Sequence, residues 1–282
     1  MINQFKTVVL LGALSALLVG VGALMGGNTI WVFAGVAVLI NFFSYFYSHK
    51  IVLAVNRAKP VTPHEAPDLH RMVQEVAERA GVPKPAVYVM ADDAPNAFAT
   101  GRNPKHGVVA VTTGIMGLLT PRELKGVIAH ELAHIKNRDI LIASIAAMVA
   151  TAIAIAASIA RWGAIFGGMS RDDDEGGGII GLLVLAIVAP IAATVIQLAI
   201  SRSREYHADA TGASFIGDPE ALASALEKLE RGNQRVHFHT VGDTPATASL
   251  FICSPLSGKN VMRWFSTHPP MAERIRRLRA MR

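Results

Sequence analysis

Cysteine is almost missing from this 282-residue chain, and the one present, Cys253, rules out an intramolecular disulfide framework and any cysteine-rich metal site. A lone thiol of this kind packs as a small hydrophobe and fits a reducing compartment. Charge is scarce too. Only 17% of the residues are charged while 51% are hydrophobic, which is too apolar for the surface of an ordinary water-soluble domain and assigns part of the chain to lipid. The charges that remain sum to +6, but the Lys and Arg residues are spread along the polar segments without any nucleic-acid module. Nucleic acid is therefore excluded as a partner, and the excess is read as charge facing a membrane surface.

No charged residue lies between Lys6 and His49. Gly26-Gly27-Asn28-Thr29 divides this stretch into apolar runs over 7–25 and 30–47, each close to the roughly 20 residues that span a bilayer. Phe42, Phe43, Tyr45, Phe46 and Tyr47 end the second run as an interfacial aromatic belt would. A cleavable signal peptide is the alternative for the first run, against which stand its weak charged start and the lack of a small-residue cleavage site. Two more uncharged runs cover 140–160 and 179–200, separated by the polar, glycine-rich stretch 170–178. Buried helices of a soluble core are their alternative reading. Lys6, then Lys50, Arg57 and Lys59, then Lys136 and Arg138, then Arg202 and Arg204 flank the runs on one side, whereas the 160–179 connector carries four acids against Arg161 and Arg171. The positive-inside rule then puts both termini and both large polar segments in the cytoplasm. A hairpin of two spans returns the chain to the face it left, so residues just before 140 and just after 200 are expected to meet.

Those residues carry the chemistry. His130-Glu131-Leu132-Ala133-His134 sets two imidazoles four apart, on one face of a helix, with a carboxylate beside the first, as a zinc hydrolase requires. Thr120-Pro121-Arg122-Glu123 reads as the capped start of that helix, which is expected to run through His134 toward the third span. Strands are expected over 86–90 and 107–112 with an edge-like segment at 96–101 between them, preceded by a helix over 66–80 that Gly81 and Pro83 end. Position 140 is Ile, so no third histidine follows at the extended spacing and a distal ligand is needed. Glu205 in Ser203-Arg204-Glu205-Tyr206-His207-Ala208-Asp209 is the best candidate and His207 its rival; Asp209, one turn on, could accept a hydrogen bond from a ligating imidazole.

HELAHIKNRD at 130–139, SREYHADA at 203–210, NAFATG at 96–101 and THPPMAERI at 267–275 occur in this order around four apolar runs, and with them nearly the whole chain resembles the HtpX family. These are integral-membrane zinc metalloproteases of bacterial protein quality control, related to the CaaX prenyl endopeptidases. The resemblance implies a mainly α integral membrane protein with four transmembrane helices and a cytoplasmic α+β, gluzincin-type zincin domain carrying a small β-sheet. It implies one zinc ion per chain, held by His130, His134 and Glu205, with Glu131 as catalytic base. It further implies that Asn96 lies on the edge strand that binds substrate backbone and that His268 approaches the reaction centre. On this reading 1–48 and 140–200 are transmembrane hairpins, and 49–139 and 201–282 together form the catalytic part. Its partners are the lipid bilayer, polypeptide substrates that are chiefly misfolded membrane proteins, and other quality-control proteases, at the bacterial inner membrane. A processing peptidase for lipid-modified or signal-type peptides is the alternative. His237 and His239 are read as solvated, and the C-terminal 273–282 as a helix whose basic face meets either lipid headgroups or solvent.

Overall fold

The computed structural model describes residues 2–24, 28–145, 202–233, 252 and 269–281. Helices α1 (Ile2–Leu24) and α2 (Thr29–Val55) occupy the first two apolar runs and pack on each other. One polar link joins them, the Asn41 Nδ2 amide donating to Ser15 Oγ at 2.8 Å, the kind of interhelical bond that persists in lipid. Their outer faces stay apolar and uncovered: Trp31 is 75% exposed, Val8 and Val38 68% each. At 27 residues α2 is about 40 Å long and is long and apolar enough to cross a membrane. It does not stop at Tyr47, where the span was expected to end, because Val52 and Leu53 in its last turns are buried in a second hydrophobic cluster with Phe98 and Met90. Of the second expected hairpin, residues 140–145 are helical and described; the rest of the 140–160 span and the whole 179–200 span lie outside the described residues, as do Cys253, His237, His239 and His268.

The sheet has four strands in the order β1-β2-β4-β3, formed by β1 (Lys59–Pro60), β2 (Ala86–Met90), β3 (Ala97–Gly101) and β4 (Gly107–Thr112). β2 and β4 are parallel; β3 runs antiparallel to β4 and forms the edge. Every residue of β3 and β4 is buried. The cause is a covering on both faces: Phe98, Val108 and Ala110 meet the end of α2, while Ala97, Ala99, Val109 and Val111 face the main core. A two-sided burial explains why these strands are continuously apolar instead of alternating. On the α2 side, Thr100 Oγ1 and Ser144 Oγ lie 2.6 Å apart, tying the edge strand to the first turn of the 140–145 helix.

The main core is built from α3 (Pro67–Ala80), the short α4 (Thr113–Leu118), α5 (Pro121–Lys136), α6 (Arg202–Ile216), α7 (Pro219–Asn233) and α8 (Met271–Arg279) around the inner face of the sheet. α5 begins at the expected capping box, where the Glu123 carboxylate accepts from the Thr120 amide at 2.9 Å while the Glu123 amide donates to Thr120 Oγ1. The same carboxylate accepts from Lys228 Nζ at 2.8 Å and Ser224 Oγ at 2.7 Å, so the start of α5 is pinned to α7. α5 runs through His134, as expected, and ends at Lys136. Asn137 caps it, Arg138 takes a left-handed φ of 59°, and a new helix starts at 140. The break turns Asp139 back toward the last turn of α5.

Two glycines set how closely α5 meets its neighbours. A Cβ at Gly212 on α6 would lie 2.8 Å from the Ala129 carbonyl carbon and the His130 amide nitrogen, and one at Gly126 would lie 2.7 Å from the Leu222 amide nitrogen on α7. Both helices thus touch α5 backbone to backbone. Gly212→Ala should cost about 1–3 kcal/mol of stability by overpacking and, because it pushes α6 off α5, should also lower metal occupancy; thermal unfolding with elemental analysis checks both. Burial alone would raise the Glu123 carboxyl, but Lys228, Ser224 and Thr120 together hold it at about 2, below its ordinary 4.5. A depressed carboxylate stabilises the fold above its unfolded pKa and loses that contribution as pH falls toward the folded value. The stability gap between the native chain and Glu123→Gln should therefore be full above pH 4.5 and close between pH 4.5 and 2 in denaturant titrations.

Candidate metal centre

α5 carries His130, Glu131 and His134, and α6 lies across it with Glu205 in its first turn. Among the described residues His130, His134 and Glu205 form one cluster whose ligand atoms all lie within 4.8 Å of one another. The two Nε2 atoms are 3.1 Å apart with their rings perpendicular; Glu205 Oε2 is 3.8 Å from Nε2 of His130 and Oε1 3.6 Å from Nε2 of His134. His207, the rival to Glu205, is exposed and outside this cluster.

Each imidazole is oriented from behind. His130 Nδ1 donates to Asp209 Oδ1 at 2.9 Å, and His134 Nδ1 to Asp139 Oδ2 at 3.1 Å. An ionised carboxylate only accepts, so Nδ1 carries a proton in both rings and Nε2 is the nitrogen turned into the cluster.

The charge balance points the same way. Glu131, Asp139, Glu205 and Asp209 gather around the cluster with the arginines Arg204 and Arg274, so carboxylates outnumber guanidinium groups by two. Burial raises Glu131 to about 7, Glu205 adds to the rise, and His134, the Ala99 amide and Arg274 oppose it. Burial lowers His130 and would lower His134, but Asp139, Glu205 and Glu131 lift His134 to about 9. A divalent cation supplies the missing charge, and a donor set of two imidazoles and one carboxylate suits zinc.

Asp209 stands where an imidazole partner was expected. Asp139 and Arg274 were not anticipated. Asp139 lies five residues after His134 and follows the helix break. Arg274, counted as part of a basic surface helix, is 0% exposed. Its Nε and Nη2 donate to the two Asp209 oxygens at 2.8 and 2.7 Å, and its Nη1 donates to the Ile252 carbonyl at 3.3 Å. The other C-terminal arginines are engaged as well: Arg277 stacks on Tyr206 at 3.9 Å and Arg279 pairs with Glu220 and Glu227. Nothing but amphipathic spacing distinguished Arg274 from them in the sequence.

Asn96 lies one residue ahead of β3 and is fully buried, its amide donating to Thr112 Oγ1 at 2.8 Å and its carbonyl accepting from the Thr112 amide at 2.9 Å. This pairing turns the polar groups of Asn96 inward, so those of Ala97 and Ala99 point off the edge. There the Ala99 amide meets the Glu131 carboxylate, and the Ala97 carbonyl accepts from the Ile252 amide at 3.2 Å. Edge strand and α5 thus converge at Glu131.

The family model described as Peptidase family M48 matches residues 63–282. A "Protease HtpX homolog" of Syntrophobacter fumaroxidans is 54% identical, covering 99% of this chain and 99% of its own length. One from Persephonella marina is 52% identical, covering 99% and 97%, and one from Thermococcus kodakarensis 50%, covering 99% and 96%. The crystal structure of S. mikatae Ste24p is similar in fold at a TM-score of 0.52 and 17% identity; the match takes in 98% of this chain and 65% of that one.

Loosening either imidazole from behind should weaken metal binding without abolishing it. Asp209→Asn and Asp139→Asn are each expected to lower metal affinity by about 10–100-fold in competition with a chromogenic chelator. Arg274→Met leaves the buried Asp209 carboxylate without its fork and should lower affinity and thermal stability together.

Proposed function

The chain belongs to peptidase family M48 and is a membrane metalloprotease, and on that premise we propose that it is a zinc endopeptidase that cuts misfolded or damaged membrane proteins at the cytoplasmic face of a bacterial inner membrane. The observation that carries the zinc reading is the convergence of His130, His134 and Glu205 with both imidazoles backed by carboxylates. In this reading those three residues hold one zinc ion. When bound, zinc supplies Lewis-acid polarisation of the scissile carbonyl and acidifies water in the site.

Glu131 then acts as general base. It is 2% exposed, beside the cluster, and held at about 7 by burial, close to the pKa that suits proton transfer at neutral pH. Its carboxylate takes the proton of the attacking water and passes it to the leaving amine. No covalent intermediate is required, since no nucleophilic side chain takes part. Substrate adds as a strand along β3, where the Ala99 carbonyl faces outward and the bond from the Ile252 amide to the Ala97 carbonyl is the kind of pairing an added strand makes; the Ala97 amide is held by Asn96 Oδ1 and the Ala99 amide by Glu131. Recognition through backbone tolerates many sequences, which fits a quality-control substrate range better than a single processing motif. Asn96 holds the start of this strand through Thr112, and His268 is assigned to donate to the developing oxyanion.

In the same proposal the catalytic part, 49–139 with 201–282, stands in the cytoplasm on four spans, 7–25, 30–47, 140–160 and 179–200. The uncovered apolar faces of α1 and α2 and the 27-residue length of α2 support the first pair. The uncharged composition of the two later runs and the acidic connector between them support the second.

Glu131→Gln should retain metal by elemental analysis yet lose about 10²–10⁴-fold in turnover of an unfolded protein substrate. Glu205→Ala should lose the metal itself. An active Glu131→Gln protein, or full zinc occupancy without Glu205, would overturn the assignment of roles.

A further inference from the structure

The turn between β3 and β4 carries cations that meet no acid among the described residues. No Asp or Glu occurs before Glu65, nor between Asp93 and Glu123. Within those stretches the fold brings Lys50 near the end of the aromatic belt together with Arg102 and Lys105 of the turn. The Arg102 guanidinium carbon lies 5.4 Å from the Phe46 ring centroid, and Lys50 Nζ lies 5.2 Å from that of Tyr47. Lys50 and Lys105 are exposed, Arg102 is half-buried, and among the described residues none of the three is paired with a carboxylate. Pro104–His106 forms a single 3₁₀ turn that fixes the loop. His106 Nδ1 donates to Asn103 Oδ1 at 2.8 Å and its Nε2 accepts from Arg102 Nη2 at 2.8 Å, so the ring is a neutral brace for the guanidinium. Next to this patch the rings of Phe42, Phe43, Tyr45, Phe46 and Tyr47 are between 37% and 51% exposed.

Exposed aromatic rings with unpaired cations at their rim match the level of a bilayer where acyl chains give way to phosphates. We propose that Lys50, Arg102 and Lys105 form a binding surface for the phosphates of anionic phospholipid headgroups, and that this contact sets the height of the edge strand above the membrane. The inference rests on α2 being a span and β3 the substrate edge, as proposed above. Its consequence is a limit on what can be cut. Ala99, whose amide meets Glu131, lies three residues before Arg102, which follows the end of β3, and three residues of chain reach at most about 10 Å. Scissile bonds are then restricted to the first few extended residues of a chain leaving the bilayer, so the substrate class is the juxtamembrane segment of a membrane-anchored protein.

The test uses the full chain in vesicles of phosphatidylcholine, with or without phosphatidylglycerol. One substrate is a single-span reporter with an unfolded cytoplasmic tail and the other is a soluble unfolded peptide. Phosphatidylglycerol should accelerate cleavage of the reporter and place the cut within a few residues of its span, while the peptide is cut equally in both vesicles. The double variant Arg102→Glu and Lys105→Glu should lose reporter cleavage by roughly fivefold for each cation removed, keep the peptide rate, and no longer respond to phosphatidylglycerol. Reporter cleavage that is indifferent to lipid in the native chain, or a double variant that keeps the full response, would overturn the headgroup surface. Failure of the native chain to cut the peptide would instead count against the endopeptidase reading itself.

Discussion

An excess of buried negative charge is the constraint on which the site depends. Four carboxylates stand within reach of two imidazoles in a place that excludes water, and Arg204 and Arg274 offset only part of them. Burying charge costs several kcal/mol per ion where it is unpaired, and a cation in the cluster offsets that cost. The hydrogen-bond pattern answers to the same need. Asp209 and Asp139 fix the imidazole tautomers, Arg274 fixes Asp209, and the Ile252 carbonyl takes the remaining arm of Arg274. Removing the ion would leave each of these bonds supporting a group with nothing to bind.

Such a centre can be assembled from distant segments because helices touch backbone to backbone. Gly212 lets α6 lie against the Ala129–His130 peptide, and that contact, more than any side-chain interlock, brings Glu205 within reach of both rings. Gly126 does the same for α7, and Glu123 then ties α7 to the first turn of α5. The rigid frame also serves the substrate side. The sheet is covered on both faces, so β3 has only its outer edge to offer, and that edge meets Glu131 at Ala99.

Much of this was legible in the sequence, for identifiable reasons. The capping box at Thr120, the strands at 86–90 and 107–112, and the helix closed by Gly81 rest on local backbone rules, and the elements formed at those bounds. The juxtaposition of Glu205 with the histidine pair was expected from a hairpin that returns the chain to the face it left, and the three residues do cluster. What escaped were residues whose roles are set by burial and not by spacing. Arg274 shares a helix with three other arginines, and only the packing of Ile275 and Leu278 decides that it is the one turned inward. Asp139 became legible only with the left-handed turn at Arg138, which a sequence of ordinary residues gives no reason to expect. The C-terminal basic face likewise meets acids on α7 and its own helix.

α2 joins the two halves of the molecule without a linker. Its first turns are apolar and uncovered, while Val52 and Leu53 at its end are core residues beneath the sheet. A continuous helix that is membrane anchor at one end and domain core at the other transmits orientation, because a helix interior does not swivel as a flexible linker does. The Thr100–Ser144 bond adds a second rigid link, from the edge strand to the segment that leads into the third apolar run. Sheet and apolar helix are thus one body. On the proposed binding along β3, selectivity for unfolded chain needs no recognition of sequence: a folded polypeptide cannot lay an extended stretch along that strand.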